Sequence, residues 1–402
     1  MKKFPLGWLL SMLVLTPSYG AEFSDGVIKL GILTDLKGPY SLMTGPGTVV
    51  AANMAIKDFN AERKGMKVEV IVADHQNNVD IGSEIARQWF DKDKVDAIVD
   101  IAGSAVGLAV NEIARERKKA LVTSGVATSD LTGKACSPYT VQWAIDTWSQ
   151  SHSTGSIVTL TGGKTWAFVT PDYNYGHTLM KDTENAVREA GGQIVDRIIY
   201  PFPLTSRDFT PFLKKAIESK AKIIGLNTAG QDTSAAIEQG VQLGIGKNGQ
   251  QFAAPIVLLT DVHKIGLEKA QGLLLTESFY WDLNEKTRAW SKRFFDQHKS
   301  MPTSLQAGVY AGVLHYLKAA EKVQSDDAGK VVAKMKEMST DDPLFGTGRI
   351  RQDGRKIHKL YLFEVKKPSE SRYPWDYYKQ RSVIPADTAY RSEKEGGCYL
   401  VN

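Results

Sequence analysis

From residue 27 onward the chain alternates short apolar runs with amphipathic stretches, and the alternation starts afresh after a break near residues 139–147. Apolar runs at 27–33, 67–73, 95–99 and 120–123 have the length and composition of buried strands. Between them, 47–63, 79–91 and 105–117 read as helices; in the first, Val50, Met54, Ile56 and Phe59 recur near helical spacing. Parallel strands need a crossover, usually a helix, so this order predicts a parallel sheet with helices on both faces. The second series predicts strands at 166–169, 194–200, 222–226, 255–259 and 273–276, and helices at 175–190, 208–220 and 232–243. Gly191 and Gly192 stop the first of those helices; Asp208 is placed to cap the second, with Pro211 in its first turn. The expected fold is α/β, two doubly wound lobes in series. Three further helices, at 285–298, 303–323 and 328–338, lead to extended runs at 348–351 and 359–365 that flank Asp353-Gly354, a hairpin signal. The last stretch, from 368, has no clear period and needs an anchor.

A length of 402 residues calls for two or three such units. The 50 basic and 45 acidic residues leave a net charge of +5. That excess is small and has no dense basic run, so nucleic acid is not an expected partner. At the N-terminus, Lys2 and Lys3 precede an apolar stretch at 6–15, and small residues lead to a cut after Gly20. This predicts a cleavable export signal over residues 1–20. The stretch is shorter than the roughly 20 residues of a membrane span; an uncleaved anchor or a buried helix is the alternative. No cysteine follows it for lipid attachment, so the mature chain is expected to be soluble and exported. In an oxidising compartment the two cysteines, Cys136 and Cys398, are expected to form one disulfide that ties down the tail. Two free thiols are the alternative.

Catalytic motifs are missing. Gly162-Gly163-Lys164-Thr165 looks like the end of a phosphate loop, but Val158 stands where its first glycine belongs, and a strand follows. Gly244 to Gly249 fits G-x-G-x-x-G, but it follows a helix and precedes a strand, so it reads as a helix stop and loop. The 7 His residues show no metal-ligand spacing, and no cofactor or metal is expected.

What remains is a set of polar, small and aromatic residues just after the expected strands, where ligands bind in open α/β sheets. Ser104, with Gly103 before it and Ala105 after it, stands at a helix start, where a hydroxyl and free N–H groups suit a carboxylate. It equally suits a plain N-cap. Gly125 admits a close backbone approach. Tyr40, Tyr173, Tyr175 and Tyr280, with Trp143, supply apolar walls, while Ala102, Ala105 and Val126 favour a ring or branched body. Asn227 and Asp261 follow the strands of the second lobe.

Several segments carry a family resemblance: Ile28 to Asp35 with Gly38-Pro39, the runs 51–59, 65–74, 95–105 and 121–131, and Pro171 to Gly176. Phe279 to Asn284 and Pro374 to Tyr378, with the terminal Cys398, are the most specific pieces. The mature chain resembles type I periplasmic solute-binding proteins of the branched-chain amino acid ABC transporter class, and within them a subgroup associated with aromatic acids and other small carboxylates. The resemblance implies three strands crossing between lobes built from discontinuous chain. It places lobe one at 24–143 plus 283–340, lobe two at 148–280 plus 341–366, and a tail at 367–402 returning to lobe one. It further implies a carboxylate held at Ala102–Ala105 and by backbone at Gly125–Ala127, Tyr175 as a cover, and Asp261 near the position that takes an amino group in amino acid binders. For Asp261 an N-cap role is the equal alternative. The implied partners are a small solute and, transiently, an inner-membrane ABC permease; the implied location is the periplasm. A ligand sensor on the same fold is the alternative function. An enzyme using Asp172, His177 or Asp261 as a base is the remote one.

Overall fold

The computed structural model describes residues 23–401; the expected export signal lies outside them. Two sheets organise the chain. The first has five parallel strands in the order Val68–Asp74, Ile28–Thr34, Ala97–Val99, Ala120–Thr123, Thr140–Gln142. The second has seven strands, in the order Tyr378–Ile384, Leu360–Val365, Leu274–Glu277, Gln251–Ala253, Ile223–Leu226, Thr165–Pro171, Gln193–Tyr200. Its first two strands run antiparallel to their neighbours and the rest are parallel. Both sheets are covered by helices on two faces, the doubly wound arrangement.

The first lobe packs around the helix Ser304–Val323, most of whose residues are buried. Surrounded on all sides, it needs no polar face. Thr303 opens it with a capping box: its hydroxyl accepts from Gln306 N at 3.2 Å, and Gln306 Oε1 accepts from Thr303 N at 3.0 Å. The neighbouring strand Ile28–Thr34 needs Gly31, because a β-carbon there would lie 2.5 Å from the Trp89 ring.

Three segments pass between the lobes. The first follows Thr140–Gln142 into the helix Thr147–Leu160. The second runs from Leu274–Glu277 to the helix Glu285–His298. The third comes later than the expected boundary at 340/341. Leu344 and Ile350 still pack in the first core, and the chain crosses at Arg355–His358. There Arg355 Nη2 donates to Ala144 O at 2.6 Å, and Gln142 N donates to Gly354 O at 3.0 Å, so the first and third crossings lie side by side.

Four local expectations are corrected. The apolar run 255–259 is not a strand: the ladder uses Gln251–Ala253, and Leu259–Ile265 is a helix. Pro255 has no N–H for a ladder. The Asp353-Gly354 turn joins Gly346–Ile350 to the short strand Lys356–Ile357, while the run from residue 360 pairs in the second sheet. Asp208 lies one residue before the N-cap, Phe209, though its carboxylate accepts from Thr210 N at 3.0 Å. Finally, the tail is structured. Tyr378–Ile384 adds an edge strand to the second sheet, Tyr390 stacks on the Arg355 guanidinium at 4.5 Å, and Cys398 is bonded to Cys136 in the first lobe.

Candidate functional site

Between the two sheets, at the carboxyl ends of their parallel strands, lies a narrow cavity, the place such sheets offer a ligand. From the first lobe come Tyr40, Met43 and Thr44, which follow strand Ile28–Thr34, and Ala102, Gly103 and Ser104, which follow strand Ala97–Val99. Gly125 and Ala127 follow strand Ala120–Thr123, and Leu305 comes from the first turn of the central helix. The second lobe supplies Tyr173, Tyr175, Ala229 and Ile256, with Ile145 from the first crossing.

Ser104 is the first residue of the helix Ser104–Glu116. The opening N–H groups of a helix have no carbonyl four residues back, so this end presents free donors and the positive end of the dipole. Gly103 holds φ +85°, and a β-carbon on it would lie 2.8 Å from Asn77 Oδ1, so the entry to the helix requires glycine. Ser104 Oγ accepts from Thr128 N at 3.2 Å, which leaves its proton to donate. Among the described residues, no Lys, Arg or His lines the cavity. An anion here would be held by dipoles.

Tyr40 and Tyr173 close the mouth, hydroxyl to hydroxyl at 2.7 Å across the two lobes. Asp35 sets the Tyr40 loop by accepting from Tyr40 N at 2.9 Å and Gly38 N at 2.6 Å. Tyr173 is stacked on Phe202 with ring centroids 4.2 Å apart. Tyr175 OH donates to Thr228 O at 3.2 Å, so its ring, rather than its hydroxyl, faces the cavity contents. Burial holds all three phenols neutral, with their pKa values raised well above the ordinary tyrosine value.

Eight of the fourteen residues named from sequence line this cavity: Tyr40, Ala102, Gly103, Ser104, Gly125, Ala127, Tyr173 and Tyr175. Six do not. Val126 is buried in a separate apolar cluster. Ala105 is one step into the helix. Asn227 Nδ2 donates to Thr170 Oγ1 at 3.0 Å. Tyr280 belongs to the second core, where its hydroxyl donates to Trp375 O at 3.1 Å. Asp261 is not the N-cap either: that position is Leu258, and Asp261, three residues on in the first turn of the helix Leu259–Ile265, accepts from Leu258 N at 2.9 Å. Trp143 is fully buried in the first core. Gly125 serves sterically, since its N–H donates to Asp100 Oδ1 at 2.8 Å and a β-carbon would meet Ile101 O at 2.5 Å. Sequence reasoning missed Ile145, Ile256 and Leu305, and did not single out Met43, Thr44 and Ala229 within the loops 34–44 and 227–232 that it expected at the site. Ile256 lies in the run misread as a strand, and Met43-Thr44 directly extend the Tyr40 loop.

Burial lifts Asp261 to about 6 and Glu277 to about 8. Asp182, raised to about 6 by burial, accepts from Thr147 Oγ1 at 2.8 Å and from Ser129 Oγ at 3.1 Å. It so ties a second-lobe helix to the first lobe. The exposed Asp172–His177 pair, 2.7 Å apart, does not line the cavity. Among the described residues, no group of three or more His, Cys, Asp or Glu could hold a metal, and no helix is long and apolar enough to cross a membrane.

With two sheets, an interlobe cavity and three crossings in place, the architecture is that of a solute-binding protein. The profile described as periplasmic binding protein matches residues 27–371, and the chain belongs to that family. A periplasmic binding protein from Burkholderia mallei is 41% identical and superposes with a TM-score of 0.91, over 94% of this chain and 100% of that one. A branched chain amino acid ABC transporter periplasmic ligand-binding protein from Burkholderia xenovorans is 33% identical, with a TM-score of 0.83 over 93% and 99% of the two chains. An ABC transporter solute binding protein from R. palustris, solved with benzoate, shares the fold at 18% identity, with a TM-score of 0.82 over 93% and 100%.

Proposed function

We propose that this chain is the periplasmic capture subunit of an ABC importer. It closes its lobes around a small monocarboxylate with an apolar or aromatic body and delivers it to an inner-membrane permease without catalysis. The observation that carries this reading is the cavity's division of labour. Aliphatic and aromatic walls enclose a body of limited size, and the only concentrated donors are Ser104 and the open helix end behind Gly103. Ala127 stands beside that end, and Tyr40, Tyr173 and Tyr175 form the covering wall. A dipole-lined pocket without a fixed cation suits one carboxylate and disfavours a second. The benzoate bound by the R. palustris neighbour is of this class, and so are the aliphatic amino acids that the branched-chain relatives' names suggest.

A thermal-shift screen of aromatic acids, branched aliphatic acids, aliphatic amino acids and uncharged sugars tests the reading. A ligand at 100 times its dissociation constant adds about 2.7 kcal/mol of stability. At least one acid is expected to raise the melting temperature. If only uncharged sugars do so, the carboxylate reading fails.

A further inference from the structure

The composition of the wall sorts the carboxylates that this cavity could take. Among the described residues, no Asp or Glu lines it. Two buried carboxylates bond directly to lining residues, and both are spent on backbone and hydroxyl donors. Asp35 accepts from Gly38 N at 2.6 Å and from Tyr40 N at 2.9 Å. Asp100 accepts from Gly125 N at 2.8 Å and Ser124 N at 3.2 Å through one oxygen, and from Thr48 Oγ1 at 3.2 Å through the other. A third, Asp261, accepts from the N–H of Leu258, which packs in the same apolar cluster as the wall residue Ile256. These acids hold the wall in place without forming it. The hydroxyls of the wall are engaged as well. Thr44 Oγ1 donates to Tyr40 O and accepts from Thr34 Oγ1, both at 3.2 Å. Tyr40 and Tyr173 bond to each other, and Tyr175 bonds to Thr228 O. Met43, Ile145, Ile256 and Leu305 make the rest of the wall apolar.

We infer that the site selects acids that lack an α-amino group: its ligand carries one carboxylate on an otherwise apolar body, and the corresponding amino acid is rejected. This rests on the proposed carboxylate reading and narrows it. An α-ammonium is bonded to the carbon that bears the carboxylate, so a carboxylate docked at Ser104 and the helix end behind Gly103 brings the ammonium with it. There it meets free N–H donors and the positive end of the helix dipole, and the first turn of that helix carries no acidic side chain to offset them. An ammonium has donors only. Against the face of Tyr40 or Tyr175 it would regain less than the desolvation of an unpaired buried cation costs. An acid without the ammonium escapes that cost and keeps every carboxylate contact.

The test is calorimetric titration of the wild-type chain with pairs that differ only in the α-ammonium: 3-methylbutanoate against valine, 4-methylpentanoate against leucine, phenylacetate against phenylglycine, and 3-phenylpropanoate against phenylalanine. In every pair that binds, the plain acid is expected to bind about a hundredfold more tightly than its amino acid, the scale set by an uncompensated buried charge. A margin under about tenfold in any such pair, or a preference for the amino acid, overturns the inference. Asp261→Asn keeps an acceptor for Leu258 N and loses the charge, and it is expected to leave the margin as it is. If it instead abolishes binding of an amino acid alone, Asp261 serves the ligand and the inference is overturned. If no member of any pair binds, the inference also fails, and benzoate titrated alongside decides the reading beneath it. Binding of benzoate would keep the carboxylate reading standing, and binding of no acid at all would remove it.

Discussion

Tyr40 and Tyr173 share a hydrogen bond, oxygen to oxygen at 2.7 Å, and it is a contact between lobes rather than within one. Tyr40 stands on a loop pinned by Asp35, and Tyr173 is backed by Phe202, so both hydroxyls arrive already positioned. Around them Gly230 packs so tightly against the first lobe that a β-carbon would lie 2.7 Å from Pro39 O.

Removing the Tyr173 hydroxyl therefore acts on closure and leaves each lobe's own core alone. Tyr173→Phe keeps the ring stacked on Phe202 and deletes one bond, worth about 0.5–1.5 kcal/mol. Ligand affinity is expected to fall roughly two- to tenfold with the melting temperature of the free protein nearly unchanged. Titration calorimetry with the best ligand from the screen measures it. Unchanged affinity would mean that the bond contributes nothing to holding the cleft shut.

Ser104 separates capping from recognition. Its oxygen accepts from Thr128 N, while its proton and the helix N–H groups remain for an anion. Ser104→Ala is expected to weaken carboxylate binding by about 1.5–3 kcal/mol, the range for a hydrogen bond to a charged group. Loss of stability alone, with affinity intact, would leave Ser104 as a structural hydroxyl.

The parallel strands and most helices were legible because each buries an apolar run or stripe of the right period. The helix Thr147–Leu160 was not, since Ser, Thr and Gly make up eight of its 14 residues. It packs closely and polar-side in: Thr154 meets Thr276 hydroxyl to hydroxyl at 3.3 Å, and a β-carbon on Gly155 would lie 3.2 Å from Ala186. No hydrophobic period could announce it. The tail strand Tyr378–Ile384 was missed because its side chains are mostly exposed; it exists through antiparallel pairing with the preceding strand, Leu360–Val365. In the site, the loops after strands Ile28–Thr34, Ala97–Val99 and Thr165–Pro171 followed from topology. Ile256 and Leu305 did not, because apolar residues that wall a cavity look like those that fill a core.

The Cys136–Cys398 disulfide, with Cα atoms 5.6 Å apart, makes the tail a strap. The segment leaves the second sheet at Ile384, places Tyr390 on Arg355 and His358 at the crossing, and ends in the first lobe. Cys398→Ser is expected to cost about 2–5 kcal/mol of stability and to make the segment after residue 385 sensitive to protease. Differential scanning calorimetry and timed proteolysis check this. A protease-resistant tail in the variant would show that the non-covalent contacts at Tyr390 suffice.

Glu277 predicts a signature in pH. Its carboxyl is raised from 4.5 to about 8 by burial, and Ser304 and the Ser278 backbone only partly offset that. An acid with a raised folded pKa binds its proton more tightly in the native state, so its contribution is fully present below the unfolded value and is lost as pH rises through the folded one. For Glu277 that window runs from about 4.5 to about 8. Asp96, Asp182 and Asp261, each raised to about 6, add the same slope at its acid end. His315, lowered to about 4 by burial, works in the opposite direction below neutrality. Comparing wild type with Glu277→Gln cancels those shared contributions. The amide cannot ionise, so the variant's stability is expected to fall less than wild type's between pH 5 and pH 8, and the two curves should converge toward the acid end. Denaturant unfolding at four or five pH values gives both curves. Parallel curves would mean that Glu277 is solvated or paired in the native protein.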